Sequence, residues 1–111
     1  MIEEKIKDYL NEKLSVPAYM EKPEEPPEKY VLIERVGGSE SEHILSASIA
    51  LQSHADSLYL AVALDEEVRS VMPAIIELDI IVRSKLVRNY NFTDTTKKKY
   101  RYQSVYELVH Y

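Results

Sequence analysis

The twelve residues His43–His54 predict a β-strand near the middle of this 111-residue chain. Apolar and small or polar side chains alternate along it: one set is Leu45, Ala47, Ile49 and Leu51, and the other is Ser46, Ser48, Ala50 and Gln52. A period of two is typical of a strand with one buried and one more polar face. Before it, the β-forming run Tyr30–Val36 ends at the only two glycines, in Gly37–Ser39. This arrangement predicts an antiparallel hairpin that turns at Gly37–Ser39.

A first amphipathic helix is predicted at the beginning of the sequence. Its apolar residues have the spacing of one helical face, with Glu and Lys opposite; they are Ile2, Ile6, Tyr9, Leu10 and Leu14. Ser15 and Pro17 are expected to end this helix, because proline disfavours helical geometry in the residue before it. A short extended stretch, Val16–Met20, follows.

A second helix is predicted from Ala55 to about Met72, where helical spacing returns. The residues that carry this spacing are Leu58, Ala61, Val62, Leu64, Val68 and Met72, and those placed mostly outside are Asp65, Glu66, Glu67 and Arg69. Pro73 is expected to end or bend the helix.

A loop and a second hairpin complete the pattern. Residues 21–29 contain three prolines, four glutamates and no apolar side chain able to pack, so we predict a stiff, exposed loop. The segments Asp79–Phe92 and Tyr100–Tyr111 are predicted to form a long hairpin around the polar turn Thr93–Lys98. Along the last segment one face carries Tyr100, Tyr102, Ser104, Tyr106 and Leu108.

The predicted element order is therefore α-β-β-β-α-β-β. No repeated βαβ alternation is present, so we expect an α+β fold with an antiparallel or mixed sheet and two helices packed on one face. The length fits one domain covering residues 1–111, and no internal repeat is visible.

The composition excludes several classes of partner and compartment. Lys and Arg total 14 against 19 Asp and Glu, and the formal charge of −5 repels a phosphate backbone at long range, so no specific nucleic acid partner is expected. The absence of cysteine removes disulfides and gives no sign of an oxidising compartment. The charged start Met1–Lys5 does not resemble a secretory signal, and no apolar run approaches the roughly 20 residues that span a bilayer. Synthesis in the cytoplasm and no membrane partner are expected.

The sequence offers no candidate catalytic centre. The paired glycines are not followed by a helix, as a phosphate-binding loop requires, and no serine lies in a nucleophile-elbow motif. His43, His54 and Asp56 form the one cluster resembling a metal or acid–base site, but the strand spacing puts the two histidines on opposite faces. His110 is expected to fray near the carboxyl terminus. We therefore predict that the protein is not an enzyme and has no catalytic, cofactor-binding or metal-binding residues.

Aromatic residues concentrate in the last hairpin. Of the nine tyrosines, Tyr90, Tyr100, Tyr102, Tyr106 and Tyr111 lie there with Phe92. Cross-strand packing alone explains several of them, at about 0.2 to 1 kcal/mol per pair. Tyrosine is also common in protein interfaces, so both interpretations stay open. The candidate subunit-interface residues are Tyr90, Phe92, Tyr100 and Tyr102, with Lys97, Lys98 and Lys99 at the rim. The lysines, together with Arg101, are alternatively a solvated turn or a local phosphate contact.

Several motifs of the chain resemble a known family. They are Tyr90-Asn91-Phe92-Thr93-Asp94-Thr95, then Tyr100-Arg101-Tyr102-Gln103 with Tyr106, and earlier Val16-Pro17-Ala18-Tyr19 and Gln52-Ser53-His54-Ala55. With these motifs and its element order, the chain resembles the small tail-terminator or tail-completion proteins of tailed bacteriophages and of prophage elements in Gram-positive bacteria.

The resemblance implies a structural protein, present in the host cytoplasm during assembly and then in the tail or neck of the virion. Such a subunit belongs to a hexameric ring that caps the head-proximal end of the tail tube, stops its polymerisation and meets the head-closure protein. Two alternatives stay open. One is another neck, minor tail or capsid component, and the other is a non-viral adaptor domain that binds proteins or small ligands.

Overall fold

The computed structural model describes every residue, Met1–Tyr111. The elements in chain order are α1 (Ile2–Lys13), β1 (Ala18–Tyr19), β2 (Tyr30–Ser41), β3 (Ile44–Ala55), α2 (Leu58–Val71), a 3₁₀ helix (Met72–Glu77), β4 (Ile81–Asn91) and β5 (Tyr100–His110). The predicted α+β class and element order are confirmed. The 3₁₀ helix was not predicted; it begins at Met72, and Pro73 occupies its first turn, where a missing N–H is tolerated.

The five strands form one mixed sheet in the order β1-β2-β3-β5-β4. The two-residue β1 pairs parallel to β2, and all other neighbours are antiparallel. Both helices lie on one side of this sheet, where a shared core of 19 buried residues includes members of α1, α2 and all five strands. The strand order leaves β4 free at one edge, and β1 covers only the beginning of β2 at the other.

The first helix packs through the predicted face. Ile2, Ile6, Tyr9 and Leu10 are all buried. The Tyr9 hydroxyl also donates a 2.6 Å hydrogen bond to the carbonyl oxygen of Val71, at the end of α2. Burial raises the pKa of Tyr9, and nearby Glu77 and Glu12 add to the effect. The hydroxyl is thus held in its neutral, donating form between the two helices.

The predicted face of the second helix is wrong at two positions. Leu58 is 41% exposed, whereas Asp65 is fully buried. The Asp65 carboxylate accepts hydrogen bonds from Arg69 Nε at 2.9 Å and from Asn89 Nδ2 at 3.0 Å. These partners make burial of the charge tolerable, because a buried carboxylate needs a cation and donors around it. The sheet-facing residues of α2 are Ala61, Leu64, Asp65 and Val68.

The predicted glycine turn is also wrong. β2 continues through Gly37 and Gly38 to Ser41, and the chain turns at Glu42 and His43, whose φ angles are +49° and +70°. The register shifts by one residue between Arg35 and Gly37, which is a β-bulge. A Cβ on Gly38 would lie 2.8 Å from the carbonyl oxygen of Ser46, so this glycine permits close approach of the paired strand.

His110 does not fray, contrary to expectation. It pairs with Leu45 of β3 and with Ile81 of β4, and it is 5% exposed. The carboxyl-terminal strand β5 lies between β3 and β4, so it is paired on both sides as far as its last residue, His110. The predicted hairpin of β4 and β5 is present, with β4 beginning at Ile81, two residues later than predicted.

Candidate assembly surface

The side of the sheet opposite the helices carries no helix, and we call it the open face. Its residues alternate with core residues along each strand: Tyr30, Leu32 and Glu34 on β2, the even positions 46–54 on β3, the odd positions 101–109 on β5, and Arg83, Lys85, Arg88 and Tyr90 on β4. Ala50, Gln52, Gln103 and Val105 are almost fully buried even here. Their neighbours' side chains therefore already cover the centre of the open face.

A hydrogen-bonded row of polar side chains crosses this face from β3 to β4. Gln52 and Gln103 are directly opposite in the sheet, and Gln52 Nε2 donates a 2.9 Å hydrogen bond to Gln103 Oε1. Gln103 Nε2 in turn donates a hydrogen bond to the hydroxyl oxygen of Tyr90. On the other side, His54 Nε2 lies 3.4 Å from Gln52 Oε1. Paired amides satisfy one another, which explains how two glutamines are buried in a sheet.

Aromatic rings extend the row at both ends. Tyr30 stacks on His54 with ring centroids 4.5 Å apart, and Tyr19 meets Tyr30 edge to face. At the β4 edge, Tyr90 and Phe92 meet edge to face at 6.0 Å. The Arg101 guanidinium lies 4.3 Å from the Phe92 ring centroid, which is cation–π geometry. The open face thus has an ordered polar and aromatic row linking all five strands.

A cleft of about 430 Å³ lies at the end of the open face, between residues 21–29, which we call the proline loop, and the turn before β5. We call it the basic cleft; the side chains that define it are Lys22, Lys98, Lys99 and Arg101, with Tyr30, His54 and Tyr100 as walls. Glu28 and Asp56 also line it. Three distant segments of the sequence meet here, because the sheet register brings Tyr30 beside His54 and His54 beside Arg101.

The positive charges of the basic cleft have no ion-pair partner. The three ion pairs of the chain are elsewhere, at Lys7–Asp8, Arg35–Glu3 and Arg69–Asp65. The nearby Asp94 carboxylate faces its own turn, where it accepts hydrogen bonds from the backbone N–H groups of Thr96 and Lys97. The cleft is therefore a concentration of unpaired cations on a chain whose net charge is negative.

The mutual repulsion of these cations affects two pKa values. Contact with Lys99 is the main cause that lowers the pKa of Lys22, and Lys97 and Arg101 add to it. Burial lowers the pKa of His54 to about 4, and Arg101, Lys22 and Lys99 contribute in the same direction. The His54 imidazole is consequently neutral at pH 7, because burial and the neighbouring cations both disfavour its protonated form.

The structure separates the predicted interface residues into three groups. Tyr90 and Phe92 lie together at the β4 edge and are 36% and 38% exposed. Lys97, Lys98 and Lys99 are exposed in the turn. By register, Tyr100 and Tyr102 belong to the helix-covered side and are half-buried, although Tyr100 reaches the basic cleft.

The free edge formed by β4 is irregular and carries exposed apolar side chains between its basic residues. The register shifts on either side of Val82 and of Val87, so each is a bulged residue. Val82, Leu86 and Val87 are 53%, 38% and 41% exposed. Bulges are a common protection against unwanted strand pairing at a sheet edge. Contact through β4 is therefore expected to involve side chains more than continued backbone pairing.

The histidine cluster considered above does not assemble. His43 lies in the β2–β3 turn, and His54 lies near the far end of the twelve-residue β3. No group of three or more His, Asp and Glu residues is placed to hold a metal ion. Neither helix is long and apolar enough to cross a membrane.

Sequence reasoning missed Lys22, Gln52, Tyr30 and Gln103 as parts of this surface. A signal for the glutamines was present, since both fall at positions that alternate with core residues. Lys22 gave no such signal, because its place beside Lys99 depends on how the proline loop returns to the sheet.

No protein-family model matches the chain, and no curated protein matches it.

Proposed function

We propose that the protein is a structural subunit of a tailed bacteriophage or prophage element, a tail terminator that forms a homo-oligomeric ring, with a hexamer as the specific expectation. The ring caps the head-proximal end of the tail tube. Its partners are a second copy of the chain, the tail-tube protein and the head-closure protein. The proposal rests on the family resemblance of the motifs around Tyr90–Thr95 and Tyr100–Gln103.

The structural observation that best supports this proposal is the exposed aromatic pair Tyr90 and Phe92 on an edge strand, beside the open face. Closed rings join two different patches of one subunit around an axis. The chain has two dissimilar sheet edges, since β4 is bulged and aromatic whereas β2 is mostly uncovered beyond Leu32. Tyrosine is enriched among the few residues that carry most of the binding energy of protein interfaces, while rim lysines contribute about 0 to 1 kcal/mol each.

Deletion of the gene from its phage or prophage tests the biological role. Loss of a terminator should give tails of uncontrolled length in negative-stain images, and the normal gene supplied in trans should restore the length. Tails of normal length that fail to join heads would instead indicate another neck component. Unchanged particles would contradict a role in the virion.

Sedimentation of purified variants at several concentrations tests the interface. Tyr90→Ala and Phe92→Ala should weaken self-association more than Lys98→Ala does, and Tyr100→Ala should also exceed Lys98→Ala. Tyr59→Ala is the matched control, because Tyr59 is 81% exposed on α2, in the helix layer. A larger effect of Tyr59→Ala than of Tyr90→Ala would place the interface on the helices and contradict this assignment.

A further inference from the structure

The unpaired cations of the basic cleft form a site where an anionic group from outside the subunit would be stabilised. Lys22, Lys98, Lys99 and Arg101 are grouped closely enough for Lys99 to lower the pKa of Lys22. Grouping like charges costs free energy in the isolated subunit, and an anion in the cleft would relieve that cost. The nearest acidic residues, Glu28 and Asp56, line the cleft without pairing with any of these cations.

An acidic group with matching properties lies at the opposite end of the same molecule. The β2–β3 hairpin ends in Ser39-Glu40-Ser41-Glu42, which we call the acidic tip. All four residues are exposed, and neither glutamate has an ion-pair partner. The tip is narrow, since only two strands about 4.8 Å apart form it.

The two charged groups cannot meet within one subunit. Ser41 pairs with Ile44 at one end of β3, and Tyr100 pairs with Ala55 at the other. The eleven steps between them span roughly 36 Å at about 3.3 Å per residue, and the longest dimension of the molecule is 44 Å. The acidic tip and the basic cleft thus lie at opposite ends of the strands.

We propose that the acidic tip of one subunit binds in the basic cleft of the next. The contact joins two different surfaces, so its repetition gives a heterologous, head-to-tail assembly, which closes into a ring when the rotation permits. It adds a charged contact beside the aromatic edge of Tyr90 and Phe92 in the ring assembly of the proposed function, and it rests on that function. The occupant is a hairpin with two carboxylates because the chain itself provides that complement, whereas its overall negative charge repels a long polyanion.

Disulfide trapping tests the contact directly, because the chain contains no cysteine. The variant Glu42→Cys/Lys99→Cys cannot close a bond within one subunit, since a disulfide requires Cα atoms closer than about 7 Å. Under mild oxidation it should give a ladder of dimers, trimers and larger species, with the 42–99 link identified by peptide mapping. Each single variant should stop at the dimer. The matched control is Glu42→Cys/Glu12→Cys, since Glu12 is exposed on α1.

Charge reversal supplies the second test. The tip variant Glu40→Lys/Glu42→Lys and the cleft variant Lys98→Glu/Lys99→Glu should each raise the apparent dissociation constant of self-association at least about tenfold at low salt. An equimolar mixture of the two should recover assembly, because each tip then meets a cleft of opposite sign. Circular dichroism of each variant checks that it folds.

Three results would overturn the proposal. They are a 42–99 link no more abundant than the 42–12 control link, a tip variant that assembles like the parent, and a mixture that does not recover assembly.

Rings formed normally by the tip variant would leave the proposed function intact and refute only this contact. The competing hypothesis is that the cleft binds phosphate groups, and short-chain polyphosphate is its probe. If polyphosphate changes the NMR chemical shifts of the Lys98 and Lys99 amides and assembly does not depend on the tip, the cleft is a phosphate site and the proposal is refuted.

Discussion

Arg69 Nε donates a 2.9 Å hydrogen bond to Oδ2 of Asp65, one turn earlier in α2, and the Asp65 side chain is fully buried. The two partners differ in exposure, because 35% of the Arg69 side chain remains accessible to solvent. Asn89 of β4 donates to both oxygens of the same carboxylate. The pair therefore anchors α2 on the sheet and connects it to the edge strand.

The exposure difference predicts an asymmetric response to mutation. Arg69→Met leaves a buried carboxylate without its cation, and because Arg69 is 35% exposed and Asn89 still donates to Asp65, it should lower the free energy of unfolding by about 1 to 3 kcal/mol. The double variant Asp65→Leu/Arg69→Met removes both charges and should lose less than Arg69→Met alone. Urea denaturation of the parent and the two variants measures both differences. Equal losses in the two variants would show that the Asp65 charge is not what makes Arg69 necessary.

A second prediction compares two leucines of α2. Leu64 is 5% exposed in the core, so Leu64→Ala should destabilise the fold by about 2 to 5 kcal/mol. Leu58 is 41% exposed, and Leu58→Ala should stay within about 0.5 kcal/mol of the parent. Thermal or urea unfolding of the matched pair gives the difference. Similar losses at both positions would indicate that another subunit covers Leu58 under the conditions used.

These two leucines also show where sequence periodicity was sufficient and where it was not. In α1 the apolar stripe is the only continuous one, and the predicted face is the buried face. The first half of α2, Leu58–Leu64, is apolar nearly all round, so spacing alone does not choose a face. The buried face is the one that carries Ala61, Leu64 and Val68, and Asp65 can lie on it because Arg69 and Asn89 satisfy its carboxylate.

The turn predicted at the glycines was wrong and the basic cleft was not predicted, for different physical reasons. Gly37 and Gly38 have the composition of a turn, but the close approach of Ser46 at a bulge is what requires Gly38. The basic cleft joins residues from three separate segments, and its geometry follows from sheet register. The α+β class and element order were predictable because they depend on local periods. Lys97–Lys99 and Arg101 were recognisable as a basic cluster, but the cleft that this cluster forms with Lys22 and His54 depends on sheet register, which no local pattern encodes.

A third prediction concerns a buried hydroxyl without a partner. Ser104 is fully buried on the helix-covered side, and its Oγ makes no hydrogen bond. An unsatisfied buried polar group costs about 1 to 3 kcal/mol, so Ser104→Ala should be neutral or stabilising by up to that amount. Ser53→Ala, at an equivalent site, should behave similarly. Measured destabilisation above about 1 kcal/mol in both would reveal hydrogen bonds that these hydroxyls make in solution.

The last prediction is a pH dependence that arises from His54. The pKa of its imidazole is about 4 in the folded protein and about 6.5 in the unfolded chain. As the pH falls below about 6.5, the unfolded chain takes up a proton that the folded protein does not, so stability is lost between pH 6.5 and 4. The ring is partly exposed and solvent screens the nearby charges, which reduces the upper bound of about 3 kcal/mol to roughly 1 to 2 kcal/mol.

The matched variant for this effect is His54→Phe, which retains a ring to stack on Tyr30 and cannot be protonated. Arg101, Lys22 and Lys99 face the histidine in both proteins, and the other titrating groups are shared. The difference between the two proteins therefore isolates His54. Going from pH 7.5 to pH 4.5, the parent should lose roughly 1 to 2 kcal/mol more of its free energy of unfolding than His54→Phe loses. Parallel pH profiles would mean that His54 is protonated equally well in the folded and unfolded states, and that neither burial nor the cations of the basic cleft affect it.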